Sequence, residues 1–345
     1  MSFKVNNRMK LRLGSKSLNI LTAPTHERYE SHLAQTGHNF FAIRVPGILK
    51  DWNSTFAPVP ENYGLLDPTK KPVPASEDPL VNLLQQLPPG IKFDLVLSQN
   101  RFGQFQLLSS LAKYLNLPLV NLEHTLPMFF WDKKKMSTLK QMKGDYNVFI
   151  SEYSRGQWGF DGAADVIHHG LDTSVFDDSN VDRGPYVLSV VNDWVNRNGP
   201  CGFKLWEGMV REGKFPVRVV GDTPGLSKPA ASVADLVGEY NRASVFLNTS
   251  LISPVPTALL EAMSCGCAPV TTNTCMIPEV IQHGVNGYLF DPAKPQDGVA
   301  LTKELLANPT KAREMGKAAR QTILDKFSLR SFLNNWNTLF DKVVS

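Results

Sequence analysis

Short apolar runs recur along the chain, and many are separated by stretches whose apolar residues fall three or four positions apart. In the first half, the runs at 18–24 (LNILTAP), 39–45 (NFFAIRV), 93–99 (FDLVLSQ), 118–124 (PLVNLEH), 146–151 (YNVFIS) and 164–169 (ADVIHH) predict strands. The second half continues with 186–191 (YVLSVV), 215–222 (FPVRVVGD), 244–250 (SVFLNTS), 268–272 (APVTT) and 287–291 (GYLFD). Between strands, residues 102–116 place Phe105, Leu108, Leu111 and Leu115 on one helical face. Beyond residue 295 the spacing is helical throughout. Strands alternating with helices predict parallel α/β sheets. Residues 46–79, rich in Pro, Asp and Asn, read as one long loop. Residues 171–185 lose the periodicity and gain turn formers, which sets a domain boundary there. The expected organisation is two α/β domains, 1–172 and 173–326, and a helical segment 327–345. A cleft between the carboxyl edges of the two sheets is the expected ligand site.

Composition narrows the class. The chain has 345 residues, enough for two ordinary cores, with 42% hydrophobic and 20% charged residues. A net charge of +4 implies no nucleic-acid partner, but suits anionic ligands or contact with an acidic membrane surface. No run of apolar residues is long enough to span a bilayer. The basic opening, MSFKVNNRMKLRLGSKSLNILTAP, lacks a signal-peptide core, so a solvated leader is expected, with a surface-binding arm as the alternative. Lys133, Lys134 and Lys135 follow Phe129, Phe130 and Trp131. A solvated loop beside an aromatic cluster is expected, and interfacial membrane contact or an anionic acceptor is the alternative. Four cysteines make no disulfide framework, and the spacing of Cys265, Cys267 and Cys275 is not that of a zinc site. Reduced thiols and a cytoplasmic location are expected, with peripheral contact at the inner face of a membrane as an option. Oligomeric state is left open.

The stretch SPVPTALLEAMSCGCAPVTT (253–272) concentrates the chemistry. Pro254 and Pro256 belong before or at a helix start, and Gly266 suits a helix end, so 256–265 is predicted helical. Ser253, preceding a proline, is biased to extended backbone. Thr257 and Glu261, four apart, share one face. Unpaired N–H groups of Thr257 and its neighbours, at a helix start opened by Pro256, would receive phosphate, and Glu261, one turn further in, would accept hydrogen bonds from hydroxyls. That pairing fits a nucleotide sugar. A helix start packed on a sheet, with Glu261 solvated, explains the same pattern.

His124 ends a strand and is aimed at the cleft, although a backbone carbonyl would also hold a histidine there. His26 has the same placement after the first strand. His168 and His169, adjacent in a strand, face opposite ways and make no metal site. The segment VVGDTPG (219–225), with Gly221, falls short of a complete dinucleotide fingerprint.

The run LLEAMSCGCAPVTTNTCMIPEVIQHGVNGYLF (259–290) resembles the donor-site signature of retaining GT-B glycosyltransferases, glycosyltransferase family 4 (glycosyl transferases group 1). VIHHGLDTSVF (166–176) is similar to that family's domain-junction motif, with His169 in place of Asn. ILDKFSLRSFLNNWNTLF (323–340) is similar to its closing helix, which often crosses back to the first domain. The resemblance implies a GT-B fold of two Rossmann-like domains. It implies that Glu261 holds the ribose of a nucleotide and that Pro256, Thr257 and Ala258 lie at the diphosphate. It also implies that His124 lies beside the transferring sugar. From their place after the first strand, His26 and Thr25 are expected on the acceptor side, and Glu27 is offered to the cleft.

Three positions depart from the family pattern. Ser253 stands where the first carboxylate of the Glu-x7-Glu pair is expected. Asn192 stands for the phosphate-binding Arg and Arg197 for the Lys, with Lys204 or Arg218 as compensating cations. APTHERYES (23–31) replaces a glycine-rich turn.

The reading is a retaining, metal-independent hexosyltransferase in glycan biosynthesis, moving sugar from a nucleotide diphosphate to a hydroxyl acceptor without a cofactor. His124 and Arg197 are the catalytic candidates. Glu261, Thr257, Ala258, Pro256, Ser253, Asn192, Lys204 and Gly221 are the donor-side candidates. A nucleotide-sugar epimerase, a catalytically silent nucleotide- or sugar-binding protein and, third, an NAD-dependent dehydrogenase are the alternatives.

Overall fold

The computed structural model describes residues 17–67, 79–127, 131–160 and 162–345. The basic opening up to residue 16, and Phe129 and Phe130, lie outside the described residues. The chain forms two compact units. The first comprises the described residues up to Ile150, Ser154–His168 and Phe332–Ser345, and the second comprises Ser151–Tyr153 and His169–Ser331.

The first unit is built on seven parallel strands: β1 (Asn19–Thr22), β2 (Asn39–Ala42), β3 (Tyr63–Leu65), β4 (Leu95–Ser98), β5 (Leu119–Glu123), β6 (Tyr146–Phe149) and β7 (Asp165–Val166). Their order is β3-β2-β1-β4-β5-β6-β7, so the winding reverses between β1 and β4. β2, β4 and β5 are buried throughout, as expected of central parallel strands covered on both faces.

β3 lies inside the stretch expected to be loop. It has only three residues, with Gly64 at its centre, and too little periodicity to register in the sequence. It forms because Tyr63 stacks on Phe40 at 5.9 Å and because Ala42 and Leu65 come into register. The strand expected at 164–169 shortens to Asp165–Val166.

Segment 332–345 completes this unit. Trp336 and Phe340 are fully buried, and the Trp336 indole N–H donates to the Tyr29 hydroxyl at 3.0 Å. Phe332 meets the Tyr29 ring edge-on at 5.1 Å. The expected closing helix therefore belongs with the first unit from Phe332 onward.

The second unit has five parallel strands: β8 (Gly184–Val190), β9 (Val217–Val220), β10 (Ala243–Asn248), β11 (Ala268–Thr272) and β12 (Tyr288–Phe290). The order β12-β11-β10-β8-β9 reverses between β8 and β10. Ligands of open α/β sheets lie beyond the carboxyl ends of the strands at such a reversal. The loops after β8 and β10 are therefore where this unit's site is to be sought. The carboxyl end of the helix Thr257–Ser264 is held by two arginines, Arg183 on the Cys265 carbonyl and Arg320 on that of Ser264. Cys265 and Cys267 are fully buried, and burial pushes the Cys267 thiol up to about 12.

Candidate functional site

In the second unit, the loop after β8 is pinned from beneath. Trp194 is fully buried, its N–H bonds the Thr223 hydroxyl at 2.9 Å, and its indole N–H bonds the Cys201 carbonyl at 2.9 Å. Gly221 lies so close to this loop that a Cβ there would sit 1.9 Å from the Val191 carbonyl oxygen. Its φ of +149° adds to the demand for glycine. The glycine of VVGDTPG thus lets two strand-end loops meet. With the loop fixed, Asn192 and Arg197 are left exposed, and the Arg197 guanidinium donates to the Asn192 carbonyl at 3.3 Å. Lys204 is exposed in the first turn of the next helix, Phe203–Gly213. Arg218 is placed differently. It sits on β9 and pairs with the largely buried Glu239 at 2.7 Å, so the structure does not bring it to the strand-end loops.

The loop after β10 leads into the helix Thr257–Ser264. Leu251 and Ile252 donate their N–H groups to the Pro200 carbonyl at 2.8 and 3.0 Å, which ties this loop to the one after β8. Ser253 is half-buried. Pro256 has φ −81° and ψ 71°, an inverse γ-turn, and the Thr257 N–H closes it on the Val255 carbonyl at 3.0 Å. The Leu259 and Leu260 N–H groups both reach the Pro256 carbonyl.

The expectation of unpaired amides at Thr257 and its neighbours therefore needs correction. Among the described residues, Ala258 is the first-turn position whose N–H has no acceptor. Beside it stands the exposed Thr257 residue with its hydroxyl. Glu261 is half-buried one turn on, and Tyr240 donates its hydroxyl to Glu261 Oε2 at 2.8 Å. Burial, together with the Glu261 carboxylate, holds the Tyr240 phenol well above its ordinary range, so it remains a donor. No spacing rule in the sequence pointed to Tyr240.

In the first unit, the turn after β1 is built around Glu30, which is fully buried. Its carboxylate accepts from the N–H groups of Thr25 (2.8 Å) and His26 (2.9 Å), from the Gln99 amide (2.7 Å) and from the Tyr63 hydroxyl. Where a glycine-rich turn would leave its amides open, this one spends two of them on an internal carboxyl group. Thr25 is buried as well, and its hydroxyl accepts from Gln104 at 2.9 Å. Glu27 is buried and paired with Lys50 at 2.8 Å. Thr25, expected on the acceptor side, and Glu27, expected to face the cleft, are thus parts of the turn itself.

The structure does bring His26 and His124 together. Their rings meet edge-on at 4.7 Å, and Tyr29 also meets the His124 ring edge-on at 4.6 Å. His124 is buried directly after β5, whereas the His26 residue is exposed. Partial desolvation and the Lys50 charge hold His26 below its ordinary range. His168 is fixed by the Ile150 carbonyl at 3.0 Å. Among the described residues, no group of three His, Cys, Asp or Glu side chains could hold a metal ion, and no helix is long and apolar enough to cross a membrane.

Residues 229–322 match the family model for glycosyl transferases group 1, a span that contains Tyr240, Ser253, Thr257 and Glu261. N-acetyl-alpha-D-glucosaminyl L-malate synthase of Bacillus anthracis is 34% identical over 86 residues, 25% of this chain and 23% of that protein. Alpha-maltose-1-phosphate synthase of Mycolicibacterium smegmatis is 33% identical over 107 residues, 29% of this chain and 28% of that protein. The chain thus spans about a quarter of the length of these curated relatives. Among solved structures, Anabaena Alr3699/HepE in complex with UDP and glucose aligns with a TM-score of 0.73 at 13% identity, covering 94% of this chain and 99% of that one. Sucrose-phosphate synthase from Thermosynechococcus elongatus aligns at 0.67 and 14% identity, covering 94% and 99%. The fold is α/β with two parallel sheets, that of GT-B glycosyltransferases.

Proposed function

We propose that this chain is a retaining glycosyltransferase that moves a hexose-type sugar from a nucleotide diphosphate to a hydroxyl acceptor. The observation that carries the reading is the Thr257–Ser264 helix, where the N–H of Ala258 lacks an acceptor and Tyr240 holds Glu261 one turn behind. An N–H at a helix start suits a phosphate oxygen, and a carboxylate behind it suits a diol. The matched family segment covers this helix, and a structural neighbour was solved with UDP and glucose.

In this reading, Ala258, the Thr257 hydroxyl and Arg197 receive the diphosphate, Lys204 adds positive charge, and Glu261 accepts from the ribose hydroxyls. Arg197 can present two donors to two phosphate oxygens at once. In the reaction, the bond from the anomeric carbon to the phosphate oxygen breaks and the acceptor oxygen bonds to that carbon on the same face. The acceptor's proton passes to the departing phosphate. Stabilising the charge on that phosphate is the protein's main task, with no metal required. Of the first unit's candidates, His124 takes its place beside the sugar from the resemblance, and His26 its acceptor-side role from its position after β1.

A thermal-shift screen against nucleotides and nucleotide sugars tests the reading. A ligand at about 100 times its Kd stabilises by about 2.7 kcal/mol, a readily measured rise in Tm. If no nucleoside diphosphate raises Tm, the reading falls. Ser253 and Asn192, each uncharged where the family pattern has a charge, favour as second reading a silent nucleotide-binding protein. Nucleotide binding without product for any hydroxyl acceptor would select it, and an epimer formed from donor alone would select an epimerase.

A further inference from the structure

The helix Lys133–Gln141 of the first unit carries a concentration of charge that the proposed donor chemistry does not use. Residues 133–143, KKKMSTLKQMK, hold five lysines and no acid, more positive charge than the net +4 of the whole chain. Lys133, Lys134, Lys135, Lys140 and Lys143 are all exposed, and among the described residues none forms an ion pair. The one neighbouring acid within the helix cap, Asp132, is committed to the Lys135 N–H at 2.7 Å.

Helical geometry spreads these charges over one surface. Leu139 is buried and marks the inward side. Lys133 and Lys140, seven apart, line one flank of the outward side and Lys134 lies toward the other, while Lys135, four before Leu139, starts nearer the inward side and reaches out over the Trp131 ring. Uncharged Ser137, Thr138 and Gln141 fill the intervening positions. Beside the first flank is an open depression of about 450 Å³ lined by Lys133, Met136, Lys140 and Lys143. Beside the second is one of about 520 Å³ lined by Phe102, Lys134 and Lys135.

Aromatic rings border the lysines. The Lys135 ammonium sits 4.8 Å from the centre of the Trp131 ring, and Phe102, 39% exposed, packs against Trp131 at 5.3 Å. Lysines at the height of phosphate headgroups, beside an aromatic at the interfacial level, make the combination that binds an acidic bilayer surface. A soluble polyanion would be served by the charge alone and gives no use to an exposed Phe102.

We infer that this face docks the protein on a membrane rich in anionic phospholipid, with the lysines on the headgroups and Phe102 at the interface. The inference is independent of the proposed transfer reaction, since it needs neither donor nor turnover.

Co-sedimentation of the full chain with lipid vesicles tests it. Vesicles of phosphatidylcholine mixed with phosphatidylglycerol should bind the protein, and phosphatidylcholine alone should not. Raising salt from about 50 mM to about 500 mM should release most of it, because screening shortens the reach of surface charge. Replacing Lys133, Lys134 and Lys135 together by Gln should weaken binding about a hundredfold, from about 1 kcal/mol per lysine. A control losing the exposed Lys113, Lys303 and Lys326 should bind within a fewfold of the unaltered protein. Phe102→Ala should lower the fraction bound at high salt. Equal loss in the two triple variants would overturn the inference, since net charge rather than this face would then be responsible. Capture on heparin without vesicle binding would overturn it in favour of a soluble polyanion.

Discussion

The Tyr240 hydroxyl, on a fully buried residue, donates to Glu261 Oε2 at 2.8 Å, so the carboxylate we propose for the ribose is set in place by a phenol 21 residues earlier in the chain. A hydrogen bond to a charged group is worth about 1.5–3 kcal/mol when removed. Tyr240→Phe keeps the buried ring and deletes only the donor. We expect it to weaken nucleoside diphosphate binding about fivefold, and Glu261→Ala to weaken it more, both measured by calorimetry. Unchanged binding in Glu261→Ala would remove that residue from the site.

Ser253 and His124 should part ways kinetically. A neutral hydroxyl bond is worth about 1 kcal/mol, so Ser253→Ala is expected to change donor affinity little. Free nucleoside diphosphate should then bind nearly as tightly as the sugar nucleotide. His124→Ala should lower kcat. Steady-state kinetics with varied donor would reverse the two assignments if Ser253→Ala abolished transfer and His124→Ala spared it.

Two glycines a few residues apart should respond unequally to alanine. At Gly221 the added Cβ would lie 1.9 Å from the Val191 carbonyl oxygen, backbone that cannot swing aside. At Gly225, φ +75°, nothing lies within 4 Å. Gly225→Ala should cost about 1–2 kcal/mol of left-handed strain, and Gly221→Ala about 3 kcal/mol or more, read as urea midpoints. Similar losses would mean that the strand-end loops separate easily.

Acid should loosen the first unit before carboxylates ordinarily titrate. Burial holds His38 below its ordinary value of 6.5, and partial desolvation with Lys50 does the same for His26. The unfolded chain then takes up protons near pH 6.5 that the folded chain refuses, so stability falls as pH drops below that value. Glu30, pushed up by burial, works in the opposite direction, holding its proton in the folded chain above the pH at which the unfolded chain loses it. His38→Asn, which keeps an acceptor for the Leu18 N–H bonded at 3.2 Å, should flatten the fall if His38 drives it. Denaturant unfolding between about pH 7.5 and about pH 5.5 measures the slope.

How much of this was legible depended on whether the cause lay within a few residues. β11 was readable because 268–272 ends in the β-formers Val270, Thr271 and Thr272, soon after the helix-ending Gly266. The Thr257–Ser264 helix was readable because prolines and a glycine mark its ends. β3 was not, since its stability comes from Phe40 and Trp52 around Tyr63 rather than from its own three residues. The same Pro256 that signalled the helix start also closes the γ-turn that takes the Thr257 N–H, a backbone detail outside any residue pattern. Tyr240 and Glu30 act across folded distances on groups that spacing alone does not connect.

Trp336 and Phe340 give the order of synthesis a structural meaning. They are core residues of the first unit, yet the ribosome reaches them only after the second unit has been made. Domains generally assemble as they emerge, N-terminal first. Here the emerging first unit must wait, with Tyr29 lacking both its indole partner and its Phe332 neighbour, until a segment made after the second unit returns to it.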